Sequence, residues 1–97
     1  MITHERIATV INSVAPKYDI QSVYLFGSYA TGKADENSDC DFRVVGGNFR
    51  SLLDLGGLYC DLEEALGMRI DIVMSDSISE KFYNNIKNHE VLLYDKI

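Results

Sequence analysis

Apolar residues recur at Ile7, Val10, Ile11 and Val14, the three- and four-residue spacing of one helix face. This predicts a first amphipathic helix over 2–14, with Thr3 as its cap, Glu5 and Arg6 in its first turn, and Pro16 as its stop. The pattern then changes. Val23, Tyr24, Leu25 and Phe26 form an unbroken run of β-formers that ends abruptly at Gly27-Ser28, and this predicts a buried strand over 22–26. Positions 29–33 suit one short helical turn, and Asp35-Glu36-Asn37-Ser38 a polar turn. A second strand is expected over 39–45, closed by Gly46-Gly47-Asn48.

From 49 to 66 the spacing becomes helical again, through Phe49, Leu52, Leu53, Leu55, Tyr59, Leu62 and Leu66, with Gly67 as the C-terminal stop. Gly56-Gly57 weakens this helix and is expected to divide it. A third strand over 69–74 leads to a cap at Ser75, Asp76 or Ser77, a last helix to about 88, and an edge strand over 91–94. The order α-β-β-α-β-α implies an α/β (α+β) fold: a small mixed sheet with helices packed against it.

Composition narrows the class. At 97 residues the chain holds one domain, spanning 1–97, and 46% hydrophobic with 25% charged residues is ordinary for a folded globular protein. No stretch approaches the roughly 18 to 20 apolar residues that a membrane span needs. The N-terminus lacks the basic start and apolar run of a signal peptide, so the cytoplasm is the expected location. Net charge is −6 and the sequence pI about 4.7. Nucleic acid is thus a poor main partner, because phosphate neutralisation needs a basic face. A nucleotide remains possible if metal ions bring the positive charge, and a basic protein partner suits the acidity. Cys40 and Cys60 form no Cys-x-x-Cys pair and read as reduced thiols.

The chemistry concentrates at Asp39-Cys40-Asp41-Phe42. Residues two apart in a strand share a face, so Asp39 and Asp41 project together while Cys40, Phe42 and Val44 face the other way. Asp71 lies within Ile70-Asp71-Ile72-Val73 and is forced opposite to the two isoleucines. Two unit charges ~6.5 Å apart repel by about 2.5 kcal/mol at an effective dielectric near 20. The carboxylates must therefore be solvated, protonated or bridged by cations, and hard oxygen ligands select Mg²⁺, Mn²⁺ or Ca²⁺. An Asp-x-Asp alone is equally compatible with an exposed edge strand. Gly27-Ser28 after a buried strand adds a tight turn, close backbone approach and a hydroxyl donor, the makings of a phosphate site.

Two other motifs fail. Gly27 to Lys33 fits G-x-x-x-x-G-K, but Ala34 replaces the Ser/Thr that ligates Mg²⁺, and a polar turn follows where a helix should start. Asp35-x-Asn37-x-Asp39 begins like an EF-hand loop, yet its sixth position is Cys40 and its twelfth Gly46. Lys33 and Arg43 are candidates for phosphate contacts, with solvated charge as the competing reading. The tyrosines read as packing residues, although an exposed Tyr29 would lie near a nucleotide. His4 and His89 have no partner at metal-ligand spacing.

The segment Leu25-Phe26-Gly27-Ser28 … Asn37-Ser38-Asp39-Cys40-Asp41-Phe42 resembles the signature of the DNA polymerase beta-type nucleotidyltransferases, and most of all the minimal nucleotidyltransferases, the antitoxin half of HEPN toxin–antitoxin pairs. The resemblance covers nearly the whole chain. It departs at Thr31, where many relatives carry Arg, and in offering no further domain for a small acceptor or primer strand. It implies a polymerase beta-like fold and Mg²⁺-dependent transfer of AMP from ATP to a hydroxyl, in the toxin–antitoxin members a tyrosine of the HEPN ribonuclease. On this reading Asp39 and Asp41 hold two Mg²⁺ ions (Mn²⁺ as a substitute). Asp71 completes one metal site and helps deprotonate the acceptor, and Gly27 and Ser28 grip the β- and γ-phosphates. Two alternatives stay open: a non-catalytic antitoxin that neutralises a basic partner by covering it, and a small-molecule nucleotidyltransferase acting as a homo-oligomer, its acceptor held in a dimer cleft.

Overall fold

The computed structural model describes residues 2–96. Helix α1 runs His4–Val14, later than periodicity alone suggests, because the Thr3 hydroxyl accepts the Arg6 N–H at 3.1 Å and fixes the start. A 3₁₀ turn, Ala15–Tyr18, carries Pro16 and leads into β1, Ile20–Phe26. One helical turn, α2 (Ser28–Thr31), follows, and then β2, Cys40–Gly46. Helix α3 is Leu52–Leu66, β3 is Ile70–Met74, α4 is Glu80–Ile86 and β4 is Val91–Asp95.

Two expectations about helices are corrected. Gly56-Gly57 does not divide α3. Tyr18 lies so close over Gly57 that a Cβ there would sit 3.0 Å from the phenol oxygen, and that phenol donates to Asp61 at 2.7 Å. This packing offsets the roughly 1 kcal/mol that each helical glycine costs. The cap of the last helix is Ser79, whose hydroxyl accepts the Phe82 N–H at 3.0 Å. Ser75 to Ser77 instead forms a separate 3₁₀ turn, and α4 ends at Ile86, short of 88.

The sheet order is β3-β2-β1-β4, antiparallel except for the β2–β3 pair, which is parallel and connected through α3. The mixed sheet expected from the element order is borne out. Helices α1 and α3 cover one face, burying Ile7, Ile11, Leu58 and Leu62 against Leu25, Phe42 and Val44. Burying each such side chain contributes ~1.5–3 kcal/mol. Strand alternation puts Tyr24, Phe26, Asp41, Arg43 and Asp71 on the opposite face. There α4 covers only part of the surface, with Phe82 edge-on to Phe26 at 5.7 Å.

Candidate functional site

The site lies where β1 ends and the chain turns over β2. Gly27 has φ +75°, and a Cβ added to it would meet Oδ2 of Asp41 at 2.2 Å. Only glycine satisfies both constraints. The tight turn expected at this residue is present, and the close approach the structure gives it is to the Asp41 carboxylate. In α2 the Ala30 and Thr31 amides donate to the Gly27 carbonyl, at 3.1 and 3.2 Å. The Ser28 hydroxyl has no hydrogen-bond partner among the described residues.

Asp41 stands in register between Phe26 on β1 and Asp71 on β3. Adjacent strands are ~4.8 Å apart, so these two aspartates crowd each other more than two along one strand would. The Asp41 carboxyl is pushed up to about 6 by burial first, then by the charges of Asp71 and Asp39. No hydrogen bond or ion pair relieves it among the described residues. Asp71 is exposed, with the Tyr59 phenol 3.5 Å from its Oδ1. That phenol also accepts the Ile72 N–H at 3.0 Å and so closes part of the open β3 edge. Asp39, just ahead of β2, is exposed and ion-paired with Arg69 at 3.2 Å.

Among the described residues no three acidic, histidine or cysteine side chains converge into a ready-made metal cage. The donors nevertheless fit a hard divalent cation that keeps some of its water: all are carboxylate oxygens, two of the three carboxylates are open to solvent, and the third is half-buried without a counter-ion. A cation here would offset both causes that raise Asp41, burial first and then the charges of Asp71 and Asp39.

Beside this cluster, on the same sheet face, lies an open groove of about 480 Å³, bounded by Arg43, Ser75, Ile78, Ser79, Glu80 and Tyr83. Arg43 is two residues along β2 from Asp41, or ~7 Å.

The polymerase beta nucleotidyltransferase family matches residues 9–97 of the chain. The chain belongs to this family. The membership expected from Gly27-Ser28 and Asp39-x-Asp41 is thereby borne out. A predicted protein adenylyltransferase of Methanocaldococcus jannaschii is 39% identical to this nucleotidyltransferase over 75 residues, covering 77% of this chain and 81% of its own. The protein adenylyltransferase MntA of Thermococcus cleftensis is 34% identical over 82 residues, covering 80% and 83%. A toxin–antitoxin crystal structure with AMP-PNP superposes with a TM-score of 0.75 at 26% identity, over 98% of this chain and 75% of that chain.

One residue of this nucleotidyltransferase departs from the sequence expectation. Arg43 is neither solvated nor free for a phosphate. Its guanidinium is buried, held by Glu90 in a two-pronged pair at 2.7 and 3.0 Å and donating to Ser75 at 2.8 Å, with the Tyr24 ring 4.2 Å away. Tyr29 is buried in the core, as its reading as a packing residue expects, which removes the alternative of an exposed Tyr29 near a nucleotide; its carbonyl meets the His4 imidazole. Lys33 is exposed, as is His89. Both cysteines are free; Cys40 is buried, and burial pushes its thiol up to about 12.

Sequence reasoning missed Arg69 and Tyr59. Arg69 was within reach, since it stands two residues before Asp71 and shares its parity, the same argument that joined Asp39 to Asp41. Tyr59 had no such signal, because it meets Asp71 only through the α3–β3 packing.

Proposed function

We propose that this protein transfers AMP from ATP to a hydroxyl on a partner protein, a tyrosine of a HEPN ribonuclease toxin, and that it thereby acts in the cytoplasm as the antitoxin. The observation that carries the reading is the Asp41–Asp71 register beneath Gly27: paired carboxylates, one with a raised pKa, directly under a glycine turn that ends in an unpartnered serine hydroxyl. The protein adenylyltransferase names of its homologues and the toxin–antitoxin structure with AMP-PNP support the same reaction class.

Asp39, Asp41 and Asp71 would hold Mg²⁺, two ions with Mn²⁺ as a substitute. When bound, these ions activate the attacking oxygen and neutralise charge on the phosphates. The Gly27 turn brings backbone close to the β- and γ-phosphates, and Ser28 donates its hydroxyl to them. Asp71, exposed at the β3 edge, takes the proton of the acceptor hydroxyl. The acceptor oxygen bonds to the α-phosphorus, the bond from that phosphorus to the α,β-bridging oxygen breaks, and pyrophosphate leaves. The groove beside Arg43 and Tyr83 gives the acceptor side chain room to approach.

Incubating the protein with α-labelled ATP, Mg²⁺ and its toxin tests this reading. Wild type labels the toxin, and the Asp39→Ala/Asp41→Ala protein does not. Equal labelling by the two, or none by wild type, contradicts it. A second reading, neutralisation by binding alone, is favoured by the net charge of −6 and the exposed Leu52 and Leu53. Under it the double variant neutralises the toxin without ATP.

A further inference from the structure

We infer that Arg69 is a polyphosphate-binding residue of the site and that Asp39 is only its resting partner; the inference rests on the nucleotidyl-transfer reading above. Arg69 directly precedes β3, and its carbonyl accepts the Cys40 N–H at 3.1 Å, which extends the β2–β3 pairing and sets Arg69 beside Asp39. Alternation along the strand gives Arg69 the face of Asp71. Its Nε meets Asp39 at 3.2 Å, and Nη2 donates to the Asn37 carbonyl at 3.3 Å.

Exposure decides which arginine can change partner. The side chains of Arg69 and Asp39 are 75% and 46% exposed, whereas those of Arg43 and Glu90 are 7% and 6%. A solvated single-contact pair is weak and screened, so Arg69 leaves it at little cost. Among the described residues, Arg69 is also the only cation ion-paired with any of the three site carboxylates. An incoming triphosphate adds negative charge to an opening already lined by aspartates. The guanidinium fork is suited to phosphate oxygens, and a cation that takes Asp39 frees Arg69 to reach them.

Binding measurements on the purified chain separate the two roles of Arg69. The first measures Mn²⁺ alone, by calorimetry or electron paramagnetic resonance. The second measures α,β-methylene-ATP with Mn²⁺ in excess. Arg69→Ala is expected to bind Mn²⁺ alone roughly two- to five-fold tighter, because a competitor for Asp39 is gone. It should bind the nucleotide analogue roughly ten- to a hundred-fold more weakly, because a charged phosphate contact is lost. Arg69→Lys should recover part of the analogue affinity, and Arg69→Gln should not. Unchanged analogue affinity in Arg69→Ala, or Mn²⁺ and analogue weakened alike, overturns the inference. If wild type binds both ligands and Arg69→Ala binds them equally well, this inference falls and the transfer reading stands. If wild type binds neither, both fall.

Discussion

Replacing Asp41 by Asn should make the protein more stable while disabling it. Asp41 titrates at about 6 against an ordinary value of 3.8. The folded chain therefore binds this proton more tightly than the unfolded chain does, and ionising the group costs folding free energy. At 1.36 kcal/mol per unit the shift corresponds to about 3 kcal/mol. Asp41 is only half-buried, so solvent screening reduces this to about 1–2 kcal/mol. The sign follows. The stabilising effect of the protonated form is complete below pH 3.8 and is lost as pH rises through about 6. Urea denaturation in EDTA at pH 7.5 should find Asp41→Asn more stable than wild type by about 1–2 kcal/mol, and near pH 4 the gap should close. Saturating Mg²⁺ should raise the stability of wild type far more than that of the variant. A variant equal to or less stable than wild type at pH 7.5, or a gap that does not shrink toward pH 4, would show that the Asp41 charge does not destabilise the fold.

Gly27→Ala forces a Cβ to within 2.2 Å of the Asp41 carboxylate at a φ of +75°, so thermal melting should record a loss of ~1–3 kcal/mol. Toxin labelling should fall at least tenfold with it, as about 1.4 kcal/mol of lost transition-state stabilisation implies. Glu90→Ala strands the buried Arg43 guanidinium and should cost ~3–5 kcal/mol in urea denaturation; a loss below about 1 kcal/mol would show the pair to be dispensable. A thiol reagent should modify Cys60 alone in the native protein and both cysteines in denaturant, because Cys40 is buried with its thiol pushed up to about 12.

Local periodicity carried most of the architecture. The Ile7–Val14 spacing, the Val23–Phe26 run and the Ile70–Met74 alternation each recur as α1, β1 and β3. Parity also put Asp39 and Asp41 on one face, which Arg43 shares, yet it said nothing of what covers that face. Glu90, which buries Arg43, is 47 positions away. The adjacency of Asp41 and Asp71 likewise depends on the parallel β2–β3 register, which no spacing within either strand encodes. Tyr29 belongs to a single helical turn, too short for any period to tell inside from outside. Gly56-Gly57 reads as a helix breaker until Tyr18, from another element, is packed against it.

We propose that the Asp41–Asp71 pair beneath Gly27 drives AMP transfer to a partner protein. Intact-mass spectrometry of the HEPN toxin after incubation with ATP, Mg²⁺ and this protein reads that transfer. Wild type should add whole AMP units to the toxin and release pyrophosphate in equal number, while Asp71→Asn should leave the toxin mass unchanged. A toxin that is neutralised without any gain in mass would rule out AMP transfer as the means of neutralisation.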